Sequence, residues 1–239
     1  MSLVFIISAP SGSGKSTLVN ELRNTVPNLD FSISYTTRKP RGSEQDGREY
    51  SFVERKEFQR MINDNEFLEY ADVFGNFYGT ARRFFLDAAE RGHDLLLDID
   101  VQGAAQMKAS LPEAISIFVL PPSREELERR LRRRSQAENM KSEEVIRTRL
   151  QTAGNEIENY RNYDYILIND NLEESIDALK AIVLAERMQH SNKPLSPEDL
   201  AIAEQAKRRR LQNAEDRIRP ILESFALSTM PARNSQTGR

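Results

Sequence analysis

The sequence predicts an α/β fold built on a parallel sheet flanked by helices, and three observations carry the prediction. Apolar runs that read as strands recur at 3–7, 95–99, 115–120 and 165–168, with helical patterns between and after them. The first run leads straight into Ala9-Pro10-Ser11-Gly12-Ser13-Gly14-Lys15-Ser16, a glycine-rich turn that opens a helix near Lys15. Residues 31–80 break the alternation with short segments rich in Ser, Thr, Tyr, Gly and Arg, including Phe31-Ser32-Ile33-Ser34 and Tyr50-Ser51-Phe52-Val53. This is the pattern of a small mixed insertion carried on a rigid scaffold.

Composition narrows the class. The 239 residues suffice for one sizeable domain with an appendage, and 30% charged residues with a net charge of −3 describe a soluble chain rather than a generic polyanion binder. No specific nucleic-acid partner is expected. There is no cysteine, which excludes disulfides and thiol chemistry. No apolar stretch approaches the roughly 18 residues of a membrane span, and Met1 runs into the first strand without a basic leader. No membrane partner and a cytoplasmic location are therefore expected. His93 and His190 have no metal-ligand partner at useful spacing and read as structural or exposed.

The turn after the first strand has the form of a phosphate-binding P-loop, GxxxxGK[ST], with Ala9 in place of the first glycine. Gly12 and Gly14 let backbone N–H groups converge on phosphate oxygens, and the helix N-terminus adds positive partial charge. Lys15 is then placed to reach the β- and γ-phosphates, and Ser16 to ligate magnesium. Asp98 and Asp100 end the strand at 95–99, where carboxylates are expected beside a P-loop. One is assigned to magnesium's water shell and the other to the acceptor site, and the sequence leaves open which.

After Pro121-Pro122 a basic helical insertion spans 123–152, with Ser123 as N-cap and Glu126 at the third helical position. It carries Arg129, Arg130, Arg132, Arg133 and Arg134, then Arg147 and Arg149. From 188 the composition changes to a helical extension. Ser196-Pro197-Glu198-Asp199 starts a helix whose face is marked by Leu200, Ala203, Leu211, Ala214 and Ile218, expected to pack on the core or on another subunit. Pro220 is expected to bend or stop it, and Ser228 to Arg239 to be disordered. Lys207-Arg208-Arg209-Arg210 reads as a solvated face. Oligomeric state is not legible, and a homo-oligomer is compatible with the chain.

The insertion makes the reading specific. It contains Ser34-Tyr35-Thr36-Thr37-Arg38-Lys39-Pro40-Arg41, then Glu44, Gly47 and Tyr50, then Glu66-Phe67-Leu68-Glu69-Tyr70-Ala71, and Gly75-Asn76-Phe77-Tyr78-Gly79-Thr80. With the P-loop and Asp98-Ile99-Asp100-Val101-Gln102-Gly103, this resembles the guanylate kinase family in order, spacing and residue type over roughly residues 3–187. The resemblance implies a core at 1–30, 81–122 and 153–187, a GMP-binding insertion at 31–80, a lid at 123–152 and a helical extension at 188–239. The implied reaction moves the γ-phosphoryl group of Mg²⁺-ATP to GMP, with dGMP as a second acceptor, by direct in-line transfer.

The resemblance also implies roles. Ala9, Pro10, Ser11, Gly12, Ser13, Gly14, Lys15, Ser16 and Thr17 form the ATP site, with Asn169 on the adenine side. Ser34, Arg38, Arg41, Tyr50, Glu69, Tyr78, Thr80, Asp98 and Asp100 form the GMP site. Lys15, Arg38, Arg130, Arg134 and Arg149 act in catalysis, and Ser16 and Asp98 hold magnesium, the aspartate directly or through water. The chemistry agrees: arginine forks suit a dianionic phosphate, and a carboxylate is a bidentate acceptor for guanine's N1–H and 2-amino donors. The rivals are a non-catalytic binding module and a kinase for another small acceptor, and the intact Gly12, Gly14, Lys15 and Ser16 favour the enzyme. Departures from the family pattern are Ala9, Ser43, Glu49, Ser135 and a longer segment between Arg134 and Ser142; they bear on lid geometry more than on reaction type.

Overall fold

The computed structural model describes residues 2–42, 44–73, 75–137, 143–191 and 194–226. Ser43, the segment between Ala137 and Glu143 and the end beyond Ala226 lie outside them, and with them the expectations of a longer lid loop and a disordered terminus.

β1 (Val4–Ser8) enters the P-loop and α1 (Lys15–Thr25), then β2 (Leu29–Ser32) returns to the same sheet. β3 (Tyr35–Thr36), β4 (Ser51–Phe52), α2 (Arg55–Asn63), β5 (Phe67–Val73) and β6 (Asn76–Ala81) build a second unit. The chain re-enters the core through α3 (Arg82–Arg91), β7 (Asp94–Asp98), α4 (Val101–Ser110) and β8 (Ile115–Leu120). α5 (Arg124–Ala137) and α6 (Glu143–Ile157) follow, then a 3-10 turn, β9 (Tyr165–Ile168), α7 (Leu172–Gln189), α8 (Pro197–Lys207) and α9 (Leu211–Ala226).

The central sheet has the order β2-β7-β1-β8-β9 with every pairing parallel. Its strands are buried on both faces, which is why Phe5-Ile6-Ile7 and Leu95-Leu96-Leu97 read as continuous apolar runs instead of alternating ones. One face packs Leu18, Leu22 and Leu179 against Phe5 and Ile7; the other packs Met107, Leu127 and Leu150 against Ile6 and Leu97. β1 is central, so the loop after Ser8 emerges beside β7, and Ile7 pairs in register with Asp98. The smaller sheet, β4-β3-β6-β5, is stitched by antiparallel β3·β6 and β5·β6 pairs over Phe58 stacked between Phe67 and Phe77.

Several expectations change. Phe31 and Ser32 belong to the edge strand of the central sheet, paired with Leu96 and Leu97, and not to the insertion. α6 runs through residue 152, where the lid was expected to end, because Ile146, Leu150, Ala153 and Ile157 form one buried stripe on the core. The extension is two helices. The chain breaks at 208–210 to run along the free edge of β9, where Ile166 N donates to Arg209 O (2.8 Å) and Leu211 N to Asp164 O (3.0 Å). That pairing covers an edge that otherwise exposes unpaired backbone. Lys207 and Arg208 are exposed as expected, but Arg210 is only partly so: it reaches buried Glu186 at 2.7 Å and lies over the Tyr165 ring.

The Ser196 capping box forms as expected, whereas Leu200 is 57% exposed and takes no part in the face. The buried face of the extension is Ala206, Ala214, Ile218, Ile221 and Phe225, the last four in the same cluster as Leu127 and Leu150. Pro220 lies inside α9 without ending it. Its ring is on the exposed side, and the burial of Ile218, Ile221 and Phe225 around it offsets the roughly 3 kcal/mol that an internal proline costs.

Candidate active site

The phosphate loop is set by backbone geometry. Gly12 and Gly14 adopt φ of +92° and +91°, where side chains are strained, and a Cβ on Gly14 would stand 2.3 Å from the Asn169 amide nitrogen. Ser13 N donates to Pro10 O (3.1 Å), closing the turn before α1. Among described residues positive φ outside glycine occurs at Asn28 and Asn65, so Ala9 lies in a conformation open to alanine and the departure from glycine there costs no backbone strain. Ser16 and Thr17 are exposed in the first turn of α1.

Lys15 Nζ bonds Asp98 Oδ1 and reaches Ile99 O at 3.3 Å. Burial alone would lower the lysine's pKa, but the charge and hydrogen bond of Asp98 outweigh it and hold the ammonium charged. Asp100 sits differently. It is the N-cap of α4, accepting Gly103 N at 2.8 Å. The two carboxylates that the sequence left undivided are thus separated: Asp98 faces the P-loop lysine, and Asp100 caps a helix between loop and acceptor pocket.

Arg130 on α5 donates to Ser13 O (3.3 Å) and Asn169 O (2.9 Å), and is oriented by Glu126 at 2.7 Å. Asn169, 5% exposed, donates to the same Ser13 carbonyl at 2.7 Å, so in this conformation it braces the loop. Arg134 is exposed on the next turn of α5, and Arg149 is half-buried on α6. Ser135, where the family pattern has glycine, is buried within α5. Arg129 and Arg132 pair with Glu126, Glu128 and Glu143 on the outside of these helices.

On the acceptor side, cross-strand register pairs Glu69 with Thr80 and Thr36 with Tyr78. Thr80 Oγ1 donates to Glu69 Oε1 at 2.6 Å, and Glu69 is only 5% exposed. Burial first, and then the Asp100 charge, push the Glu69 carboxyl up to about 7. Ser34 is buried on the same unit. Arg38 lies nearby, 8% exposed, its Nε donating to Tyr78 Oη (3.1 Å) and its fork held by Glu44 at 2.9 and 3.0 Å. The Tyr50 ring stands edge-on to Tyr78 and beneath the Arg38 guanidinium. Burial, and then the Asp98 charge, raise the Tyr50 phenol, while the Lys15 and Arg38 charges work against them. Arg41 is exposed, with its backbone N–H on Glu44.

Three residues gain roles that the sequence did not assign. Glu44 occupies the Arg38 fork. Gly103 leaves room for Glu69. Glu156 on α6 accepts the Ser11 backbone N–H and is pushed up to about 7, first by burial and then by Asp100. Gly103 and Glu44 stood in quoted motifs; Glu156 carried no signal, because a glutamate on a helix reads as solvated. Among the described residues no group of three or more His, Asp or Glu gathers to hold a metal, and no helix is long and apolar enough to cross a membrane.

Comparison with known proteins places this geometry. A model of the family described as guanylate kinase matches residues 1–186. The chain is 59% identical over 228 residues to the guanylate kinase of Koribacter versatilis, covering 95% of this chain and 97% of that one. It is 50% identical to that of Dechloromonas aromatica over 76% of this chain and 88% of that one. The crystal structure of guanylate kinase from Anaplasma phagocytophilum superposes with a TM-score of 0.64 at 37% identity, covering 78% of this chain and 87% of that one. The chain belongs to the guanylate kinase family.

Proposed function

We propose that this protein transfers the γ-phosphoryl group of ATP to GMP, and to dGMP, giving ADP and the corresponding diphosphate. The observation that carries the reading is the buried Glu69 carboxyl, set by Thr80 on the unit that also carries Arg38, Tyr50 and Tyr78, with Tyr50 within electrostatic reach of both Lys15 and Asp98.

The acceptor phosphate takes the Arg38 fork in place of Glu44, with Tyr50, Tyr78 and Arg41 donating further bonds. Until then Glu44 keeps the fork aimed. Glu69, as the carboxylate, accepts N1–H and the 2-amino group of guanine, while Ser34 and Thr80 serve the remaining polar edge. Adenine leaves that buried acceptor unpaired, a mismatch that rejects the wrong substrate by about 10⁴.

On the donor side the loop amides and the α1 N-terminus hold the phosphates, and Lys15 follows the charge that develops on the moving group. Arg130, and on lid closure Arg134 and Arg149, complete that clamp and exclude water. The Ser16 hydroxyl and the Asp98 carboxylate are hard oxygen donors beside the phosphate cradle and suit magnesium, which takes few protein ligands and keeps phosphates and water for the rest. Bound there, the ion neutralises phosphate charge. Asn169 lies at the adenine end of the loop.

An assay coupled to ADP release tests this with GMP, dGMP, AMP, UMP and CMP as acceptors. Turnover with the two guanine nucleotides alone is expected; equal rates with all five, or none with GMP, overturn the assignment.

A further inference from the structure

We propose that the corner between α8 and α9 is a binding site for an oligophosphate anion, supplied either as an inorganic chain of linked phosphates or as the phosphate chain of a nucleotide. A cavity of about 540 Å³ opens there, lined by Glu204, Lys207, Arg208, Arg209, Asn213 and Arg217. The lining holds a formal excess of three positive charges in a chain whose net charge is −3. Glu204 compensates poorly, standing 3.7 Å from Lys207 and 3.8 Å from Arg208.

Arg209 is the central group. Its Nη1 donates to Gln205 O at 3.0 Å, and its Nε is buried with no hydrogen-bond partner. Burial, followed by repulsion from Arg217 and Arg208, depresses its pKa, a cost that an anion in the cavity removes. It cannot swing away with its backbone, because its carbonyl accepts Ile166 N along the edge of β9. Planar guanidinium forks on two elements suit the several oxygens of linked phosphates, and the lining offers no aromatic face for stacking a base. The volume falls in the range of roughly 300 to 1,000 Å³ usual for small-molecule sites, and a concave corner favours a compact anion over a flat membrane or an extended nucleic acid.

The site is separate from the phosphate loop. Its anchor on the sheet is the amino-terminal end of β9, whereas Asn169 and the loop lie at the carboxyl end, and all six lining residues fall outside the 1–186 family match.

Calorimetric titration of inorganic tripolyphosphate into the full chain and into an Arg208→Glu/Arg217→Glu double variant tests the proposal, since the P-loop is common to both. We expect the parent to bind one more tripolyphosphate than the variant, with affinity at this site lowered at least tenfold by the substitutions and GMP phosphorylation unchanged within twofold. Should the double variant fail to fold, Lys207→Ala/Arg217→Ala is expected to shift the same binding step in the same direction. A parallel titration with CTP separates the sources: equal affinity assigns the inorganic chain, and at least tenfold tighter binding assigns a nucleotide. Identical stoichiometry and affinity in parent and variant, or tighter binding of a single-stranded oligonucleotide than of tripolyphosphate, overturns the proposal.

Discussion

Gly103, in the first turn of α4, lies so close to Glu69 of the other sheet that a Cβ added there would stand 2.6 Å from Glu69 Oε2. The glycine is required for space, not for backbone freedom: its φ is ordinary and its amide caps onto Asp100. Gly103→Ala is therefore expected to push the carboxyl off Thr80 and raise KM for GMP about tenfold or more, leaving KM for ATP within about twofold. Steady-state kinetics with each substrate varied in turn check this, and an equal change in both constants counts against the packing argument.

Glu69 and Glu156 are both held up at about 7 against an ordinary 4.5. Between those values the folded chain binds more protons than the unfolded one, so stability falls as pH rises from about 4.5 to 7 and levels off above it. Each group contributes on the order of 3 kcal/mol at most. Melting temperatures between pH 5 and 8 are expected to show this slope, and Glu69→Gln and Glu156→Gln each to flatten it. GMP binding runs the other way. The ionised carboxylate is the form that accepts two donors, so KM for GMP is expected to fall as pH rises through about 7 in the parent and not in Glu69→Gln.

Lys15, at the start of α1, bonds Asp98 at the end of β7. Lys15→Met is expected to lower kcat about a hundredfold or more while GMP still binds, because the acceptor pocket is built on other elements. Rapid-quench turnover together with a GMP binding isotherm makes the comparison, and retained turnover removes the lysine from the mechanism.

The extension packs against α5 and α6. Phe225 and Ile218 bury beside Leu127 and Leu150, and Ser224 Oγ accepts the Arg124 backbone N–H at 3.2 Å. Phe225→Ala is expected to cost about 3 to 5 kcal/mol of stability. Urea denaturation measures it, and a loss under about 1 kcal/mol contradicts the assigned packing.

Much of the donor half was legible because its signals are local. A strand, two glycines with positive φ, Lys15 and Ser16 stand within a few residues, so spacing alone carries the chemistry. The division of labour between Asp98 and Asp100 was not legible: it depends on β7 ending at Asp98 while Asp100 turns to cap α4, a one-residue boundary that periodicity does not resolve. Phe31 was misplaced for a similar reason, since pairing with Leu96 is decided by the sheet and not by alternation in four residues. Arg210 read as solvated because Glu186 and Tyr165 are more than twenty residues away in sequence, and only the fold brings them beneath it.

Whether the buried carboxyl of Glu69 selects guanine is decided by the ratio of kcat/KM for GMP to that for AMP, measured in the parent and in Glu69→Gln. A ratio of at least about 10³ is expected in the parent, falling at least about a hundredfold in Glu69→Gln through loss of GMP turnover, with KM for ATP unchanged. An unchanged ratio in Glu69→Gln would contradict selection by Glu69.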